Sequence, residues 1–273
     1  MTAVLDPNGH DHHVVFVGGL HRSGTTPLAR AIATHSDVSG FGDTGAEEDE
    51  GQHLQHVMPP GEEFGGPGRF ARNPRSAMTE DSSLASPAAA RMIADSWSPY
   101  WDLSKSVVVE KSPPNLVRMR YLQSLFPHSS FVMILRHPVV VTLSTKKWAP
   151  RHSYRSVFEN WFAAHDTMRR DASSIERLHV VKYEDLVVRP DETLAAVAEF
   201  LGLSGAIPAE HVQAGRSSSY ERTWAQWQRS RRPLVAWRYG DLVRRYGPRA
   251  LEYGYCFDDL DAVAPFRLSG TQR

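Results

Sequence analysis

The stretch Val14-Val-Phe-Val-Gly-Gly-Leu-His-Arg-Ser-Gly-Thr-Thr-Pro-Leu-Ala-Arg-Ala-Ile32 decides the fold. It opens with a short apolar run rich in β-branched residues, turns through glycines, and ends with apolar residues at helical spacing. That order predicts a buried strand, a tight loop and an amphipathic helix. Such a unit aims several backbone N–H groups and the positive end of a helix dipole at one point, which suits a phosphate. Gly19 and Gly24 have the spacing of a nucleotide-binding P-loop, yet Thr25 stands where that loop carries its lysine. The positive charge lies three residues earlier, at Arg22. A kinase or NTPase needs the lysine on its β/γ-phosphates, so the exchange argues against ATP or GTP hydrolysis. What is left is an anion cradle: Ser23 and Gly24 in the turn, the hydroxyls of Thr25 and Thr26 at the helix start, and Arg22 at the lip.

Working outward, three further apolar runs read as strands: residues 106–110, Ser130–Leu135 and Leu178–Lys182. Each is short and continuous rather than alternating, as strands covered on both faces are. Helical patterns over residues 113–126, 139–147, 157–173 and 191–201 separate them. Strands alternating with helices predict βαβ units and one parallel sheet. Residues 40–85 break the pattern, being rich in Gly, Pro and acidic residues without a sustained period. A long irregular stretch of this kind reads as a substrate loop or lid, or as a partly disordered insertion.

Composition narrows the classes. The chain has 273 residues, ample for a buried core, and its 31 basic and 31 acidic residues balance. No basic field suggests nucleic acid. The arginines at 229, 231, 232, 244 and 245 read as solvated helix faces. One cysteine, Cys256, excludes an intramolecular disulfide and a cysteine-based structural zinc site. Thirteen histidines are many, but His10, His12 and His13 lie in a polar N-terminal arm (residues 1–13), and no zinc-ligand spacing is present. No metal is expected. Neither a signal-peptide pattern nor an apolar run of about 18 residues occurs, so the expectation is a cytoplasmic protein without a membrane span.

The motif His21-Arg-Ser-Gly-Thr-Thr after a Val-rich strand resembles the 5′-phosphosulfate loop of sulfotransferases that use 3′-phosphoadenosine 5′-phosphosulfate (PAPS). The form with arginine looks most like the protein-tyrosine sulfotransferases and related bacterial enzymes. The resemblance implies a P-loop-NTPase-like three-layer α/β fold, a central parallel sheet flanked by helices, in a single domain over residues 14–265. It also implies PAPS as co-substrate, 3′-phosphoadenosine 5′-phosphate (PAP) as product, and no metal.

Other segments follow in the family's order. Arg136 ends the strand Phe131-Val-Met-Ile-Leu, where open α/β sheets place their ligands. Ser144 lies eight residues on. In the family an arginine and a serine at this separation hold the 3′-phosphate, a task that suits arginine's two-pronged fork. Lys111, in Glu110-Lys-Ser-Pro-Pro, resembles the lysine that contacts the transferring sulfuryl group. Fixed cations such as Arg22 and Lys111 stabilise the charge that spreads over that group's oxygens. Glu110 reads as structural or as a partner for Lys111. Tyr183, in Val180-Val-Lys-Tyr-Glu-Asp-Leu, matches a nucleotide-contacting tyrosine, with core packing as the alternative. Arg216 and Ser217 begin a segment similar to the C-terminal cofactor loop, although Gln226 replaces the lysine expected before Trp227.

An acceptor hydroxyl also needs a base. The acidic stretch after the first helix offers Asp43, Glu48 and Glu50, with His53 as an imidazole alternative. Glu50 is favoured because Gln52, His53 and Leu54 resume a semi-apolar pattern that can fold over the pocket. The acceptor stays open among glycan, lipid, phenol and natural product. So does the oligomeric state. A small-molecule kinase and an inactive nucleotide-binding module are the competing readings.

Overall fold

The computed structural model describes residues 12–212 and 217–266. Five strands are joined by nine helices among these residues. In chain order they are β1 (His13–Gly19), α1 (Thr25–Ala33), β2 (Val38–Gly40), α2 (Pro87–Trp97), β3 (Val107–Lys111), α3 (Met119–Leu125), β4 (Ser130–Leu135), α4 (Pro138–Trp148), α5 (Tyr154–Asp171), β5 (Leu178–Lys182), α6 (Tyr183–Val188), α7 (Pro190–Leu201), α8 (Ser218–Gln228) and α9 (Pro233–Leu251). The strands form one sheet in the order β2-β3-β1-β4-β5, and every pairing is parallel.

The continuous apolar runs split by parity onto the two faces of the sheet, as the pleat requires. On one side Val14 and Phe16 of β1 join Phe131, Met133 and Leu135 of β4 in a core with Trp97 of α2 and Trp161 and Phe162 of α5. On the other, Val15 and Val17 join Val132 and Ile134 under Leu28 and Ile32 of α1 and Leu194 and Val197 of α7. Helices thus cover both faces, giving three layers. The strand C-termini all lie at the same sheet edge, β5 running straight into α6 and the others into loops, and that edge collects the residues discussed below.

Three local readings differ from the structure. Residues 113–126 are not one helix: a 3-10 turn over Pro113–Val117 precedes α3, with buried Arg118 between them. Prolines in a first turn lack only N–H groups that would have no intrahelical partner, so they open the turn rather than end it; the break falls at Arg118, whose φ of -129 leaves the helical region. The three-residue β2, which no reading of the sequence anticipated, ends where the irregular stretch begins at Gly40; it is held by pairing with β3 rather than by an apolar run of its own. The stretch itself is ordered as five short 3-10 turns between Glu47 and Ser76, and buries Met58, Phe64, Phe70 and Met78.

Candidate active site

The loop after β1 takes an unusual backbone path. Arg22 has φ 71 and Gly24 φ 97, both left-handed. A side chain at Gly24 would be strained by that φ and would also strike the Tyr183 ring, 2.6 Å from the added Cβ. The path points the start of α1 at open space. Its first turn holds no acidic residue and no capping side chain of its own; Glu48, from the loop opposite, approaches it at Thr26. Arg22 is fixed at both ends. Its Nε donates to Ser144 Oγ at 3.0 Å, and its carbonyl accepts from Arg136 Nη1 at 2.8 Å.

Arg136 leaves the end of β4 and is only 6% exposed. Its guanidinium lies 3.8 Å from the centre of the Tyr183 ring, and Nη2 donates to Ser217 Oγ at 2.6 Å. Tyr183 therefore packs in the core and also lines the cavity described below. The Trp161 indole donates to the Arg136 carbonyl at 3.0 Å and pins the turn. Arg136 Nε, Ser23 Oγ and His21 Nδ1 are buried and lack partners among the described residues. Unsatisfied buried polar atoms are costly. Three of them around one cationic loop fit an anion with several oxygens.

These groups converge on a cavity of about 490 Å³. Arg22, Gly24, Thr25, Thr26, Arg136, Ser144 and Tyr183 all line it, as do Glu48 and Glu50. Ser23 sits behind the wall and Ser217 touches it through Arg136. Arg216 lies outside the described residues. Gln226 is exposed on α8, while Trp227 packs against Tyr154.

The carboxylates are sorted sharply by their surroundings. Glu50 is 6% exposed. Its Oε1 accepts from Lys111 Nζ at 3.3 Å and its Oε2 from Gln52 Nε2 at 2.5 Å, with His53 Nε2 3.8 Å away. Burial raises its pKa above the ordinary carboxylate value, and the Lys111 ammonium opposes that rise. Lys111 also donates to the Glu48 carbonyl at 2.6 Å, which places it behind Glu50 rather than on the cavity wall. Glu48 is exposed and accepts from Thr26 Oγ1 at 3.3 Å. Asp43 is exposed and, like His53, does not line the cavity.

The partner of Lys111 is thus Glu50, whereas Glu110 accepts from Ser112 Oγ and Asn115 Nδ2, both at 2.5 Å. Burial pushes Glu110 up to about 7. Gly51 packs so closely that an added Cβ would lie 2.5 Å from Glu110 Oε1.

Several wall residues carry no local signal in the sequence. Trp148 follows Ser144 by one helical turn and shares its face of α4, the one clue that position offers. Tyr220, Leu186, Val187, Glu210 and His211 reach the cavity only through the packing of α6, α8 and the segment after α7. His21, one residue before Arg22, also lines it. Burial, then the charges of Lys111, His53 and Arg22, lower its pKa to about 3, so the ring is neutral.

The model of a family described as the sulfotransferase family matches residues 14–206. Over 199 residues the chain is 26% identical to protein-tyrosine sulfotransferase 2 of Gallus gallus, covering 70% of this chain and 51% of that one. Over 203 residues it is 24% identical to protein-tyrosine sulfotransferase 1 of Danio rerio, covering 71% and 54%. The chain spans about half the length of the curated relatives it matches. Among solved structures, the sulfotransferase domain from the Curacin biosynthetic pathway superposes with a TM-score of 0.48 at 20% identity, over 76% of this chain and 80% of that one. The chain belongs to the sulfotransferase family.

Proposed function

We propose that this member of the sulfotransferase family moves the sulfuryl group of PAPS to an acceptor hydroxyl and releases PAP. The observation that carries the reading is the meeting of the Arg22 loop, Arg136, Ser144 and a buried carboxylate, Glu50, at one cavity. The partnerless polar atoms of Ser23 and Arg136 support a polyanionic nucleotide at that place. The start of α1 with Arg22, Ser23, Thr25 and Thr26 would hold the 5′ end, and Arg136 with Ser144 the 3′-phosphate, over the ring of Tyr183.

When bound, PAPS supplies a sulfuryl group already activated on a phosphate leaving group. Glu50 removes the proton of the acceptor hydroxyl, whose oxygen forms the new bond to sulfur as the bond to the phosphate oxygen breaks. Arg22 and the loop amides stabilise the charge on the sulfuryl oxygens. Lys111 keeps Glu50 ionised against its burial until the proton arrives. Once Glu50 is protonated it no longer offsets the Lys111 ammonium behind it, and that charge then adds at a distance to the field of Arg22 and the loop amides. No step calls for a divalent ion. Glu50 is preferred to Asp43, Glu48 and His53 because it alone of the four is both buried and on the cavity wall. The acceptor is a small-molecule, glycan or lipid hydroxyl.

Calorimetry tests the nucleotide half of this reading. PAP should bind with one site per chain in the presence of a chelator, and ADP at least about 30-fold more weakly for want of one charged phosphate contact. Equal affinity for the two would reject the site as drawn.

A further inference from the structure

Two segments of this charge-balanced chain carry basic residues and no acidic ones. Residues 136–158 include Lys146, Lys147, Arg151 and Arg155; residues 222–240 include Arg222, Arg229, Arg231, Arg232 and Arg238. The fold packs them together through cations laid on aromatic rings. Lys147 Nζ is 4.5 Å from the Tyr220 ring centre, and Arg238 lies over Tyr154 at 5.1 Å and Trp227 at 5.6 Å. Tyr154 and Trp227 themselves meet edge to face at 5.0 Å. One end of this ladder reaches the cavity at Trp148, which is 70% exposed and sits 5.2 Å from the Arg22 guanidinium.

The other end is the start of α9. Arg231, Arg232 and Arg238 are exposed there, and so are Leu234 at 79% and Trp237 at 62%. Leu234, Trp237 and Arg238 are spaced three and four residues apart and share a helix face. Asp241 neutralises Arg155 through two hydrogen bonds of 2.9 and 2.8 Å, and Glu221 stands in the first turn of α8.

We propose that this face docks on an anionic lipid surface, with Leu234 and Trp237 entering the headgroup region and the arginines pairing with lipid phosphates. Guanidinium forks suit phosphate oxygens, and indole rings settle at the headgroup level of bilayers. A basic helix start bearing exposed apolar side chains is the pattern of interfacial binding. A soluble polyanion would engage the arginines equally but has no use for an exposed leucine and indole. No helix among the described residues is long and apolar enough to cross a membrane. The ladder of rings and cations runs from this face to the cavity at Trp148, so the acceptor would be drawn from the lipid interface. That last step rests on the sulfotransferase reading; the docking does not.

The test is co-sedimentation with vesicles of phosphatidylcholine, alone or with about 30% phosphatidylglycerol, at low and high salt. The expected result is binding at least about tenfold tighter to the anionic vesicles, lost at high salt. Leu234→Ser combined with Trp237→Ser, and separately Arg231→Ala combined with Arg232→Ala, should each weaken it about tenfold. Circular dichroism melting curves and PAP affinity should stay as in the wild type, which shows the fold intact. Equal binding to both vesicle types overturns the proposal, as does anionic binding indifferent to the Leu234 and Trp237 changes. So does tighter binding to soluble polyglutamate than to vesicles, which would make the face a polypeptide site. Failure to bind PAP would sink the proposed function while leaving the vesicle result to stand or fall alone.

Discussion

Arg136→Ala separates the nucleotide's 3′-phosphate from the rest of the site. The guanidinium is nearly buried, stacked on Tyr183, and holds Ser217 and the Arg22 carbonyl through its two terminal nitrogens, leaving Nε without a partner. A desolvated, charge-assisted contact of this kind is worth about 2–4 kcal/mol, or roughly 30- to 1000-fold in PAP affinity. The same change frees the Arg22 carbonyl and so loosens the 5′ loop. An ordinary hydrogen bond contributes about 0.5–1.5 kcal/mol, so ADP should lose roughly tenfold at most. The informative quantity is therefore the ratio of the two losses, which should exceed about tenfold. Isothermal titration of PAP and ADP on the wild type, Arg136→Ala and Arg136→Lys measures it. The lysine keeps the charge without the fork and should fall between. Equal losses for both nucleotides would refute the assignment of the 3′-phosphate to Arg136 and Ser144.

Other consequences reach the rest of the site. Glu50→Gln should lower turnover about 10²–10⁴-fold with PAP affinity within a few fold, and should abolish the rise in rate with pH, while Glu48→Gln, Asp43→Asn and His53→Asn keep both. A wild-type limb lying above the ordinary carboxylate range would match the burial of Glu50. Gly24→Ala, which forces a Cβ to within 2.6 Å of the Tyr183 ring at φ 97, should weaken PAP about tenfold or more by calorimetry. Glu110 has its folded pKa raised from 4.5 to about 7, so between those values the folded state holds a proton that the unfolded state has lost. Stability should fall as pH rises through that window, by something on the order of 3 kcal/mol, and level off above it. Urea titrations of Glu110→Gln should show a flatter profile; an unchanged slope would assign it to other groups.

The sequence carried the sheet well because β1, β3 and β4 are buried on both faces and, with the half-buried β5, announce themselves as apolar runs. β2 does not: Val38, Ser39 and Gly40 have no pattern of their own and become a strand only beside β3. The turns between Glu47 and Ser76 are opaque for a similar reason, since Met58, Phe64 and Phe70 are buried without the i, i+3, i+4 spacing of a helix or the unbroken alternation of a strand. The cationic half of the site was legible, because a Gly-rich loop and a strand-end arginine are local features with a fixed meaning in an α/β sheet. Its acidic half was legible only in part: the semi-apolar pattern after Glu50 pointed to that residue but not to its partner. Nothing near Glu50 in the sequence tells that it, rather than Glu110, meets Lys111; that pairing joins residues 61 apart and exists only after the 3-10 turn closes over β3. Trp148, Tyr220 and His211 needed the packed helices before they became one wall.

Label transfer asks the main question outright. The protein should be incubated with ³⁵S-labelled PAPS and a fractionated extract of its host, with a chelator present throughout. Sulfuryl transfer requires that one hydroxyl compound gain the label with an equal amount of PAP released, undiminished by the chelator and lost in Glu50→Gln. Labelling from γ-³²P-ATP that needs Mg²⁺, with none from PAPS, would contradict it and turn the Arg22 loop into a kinase's phosphate site.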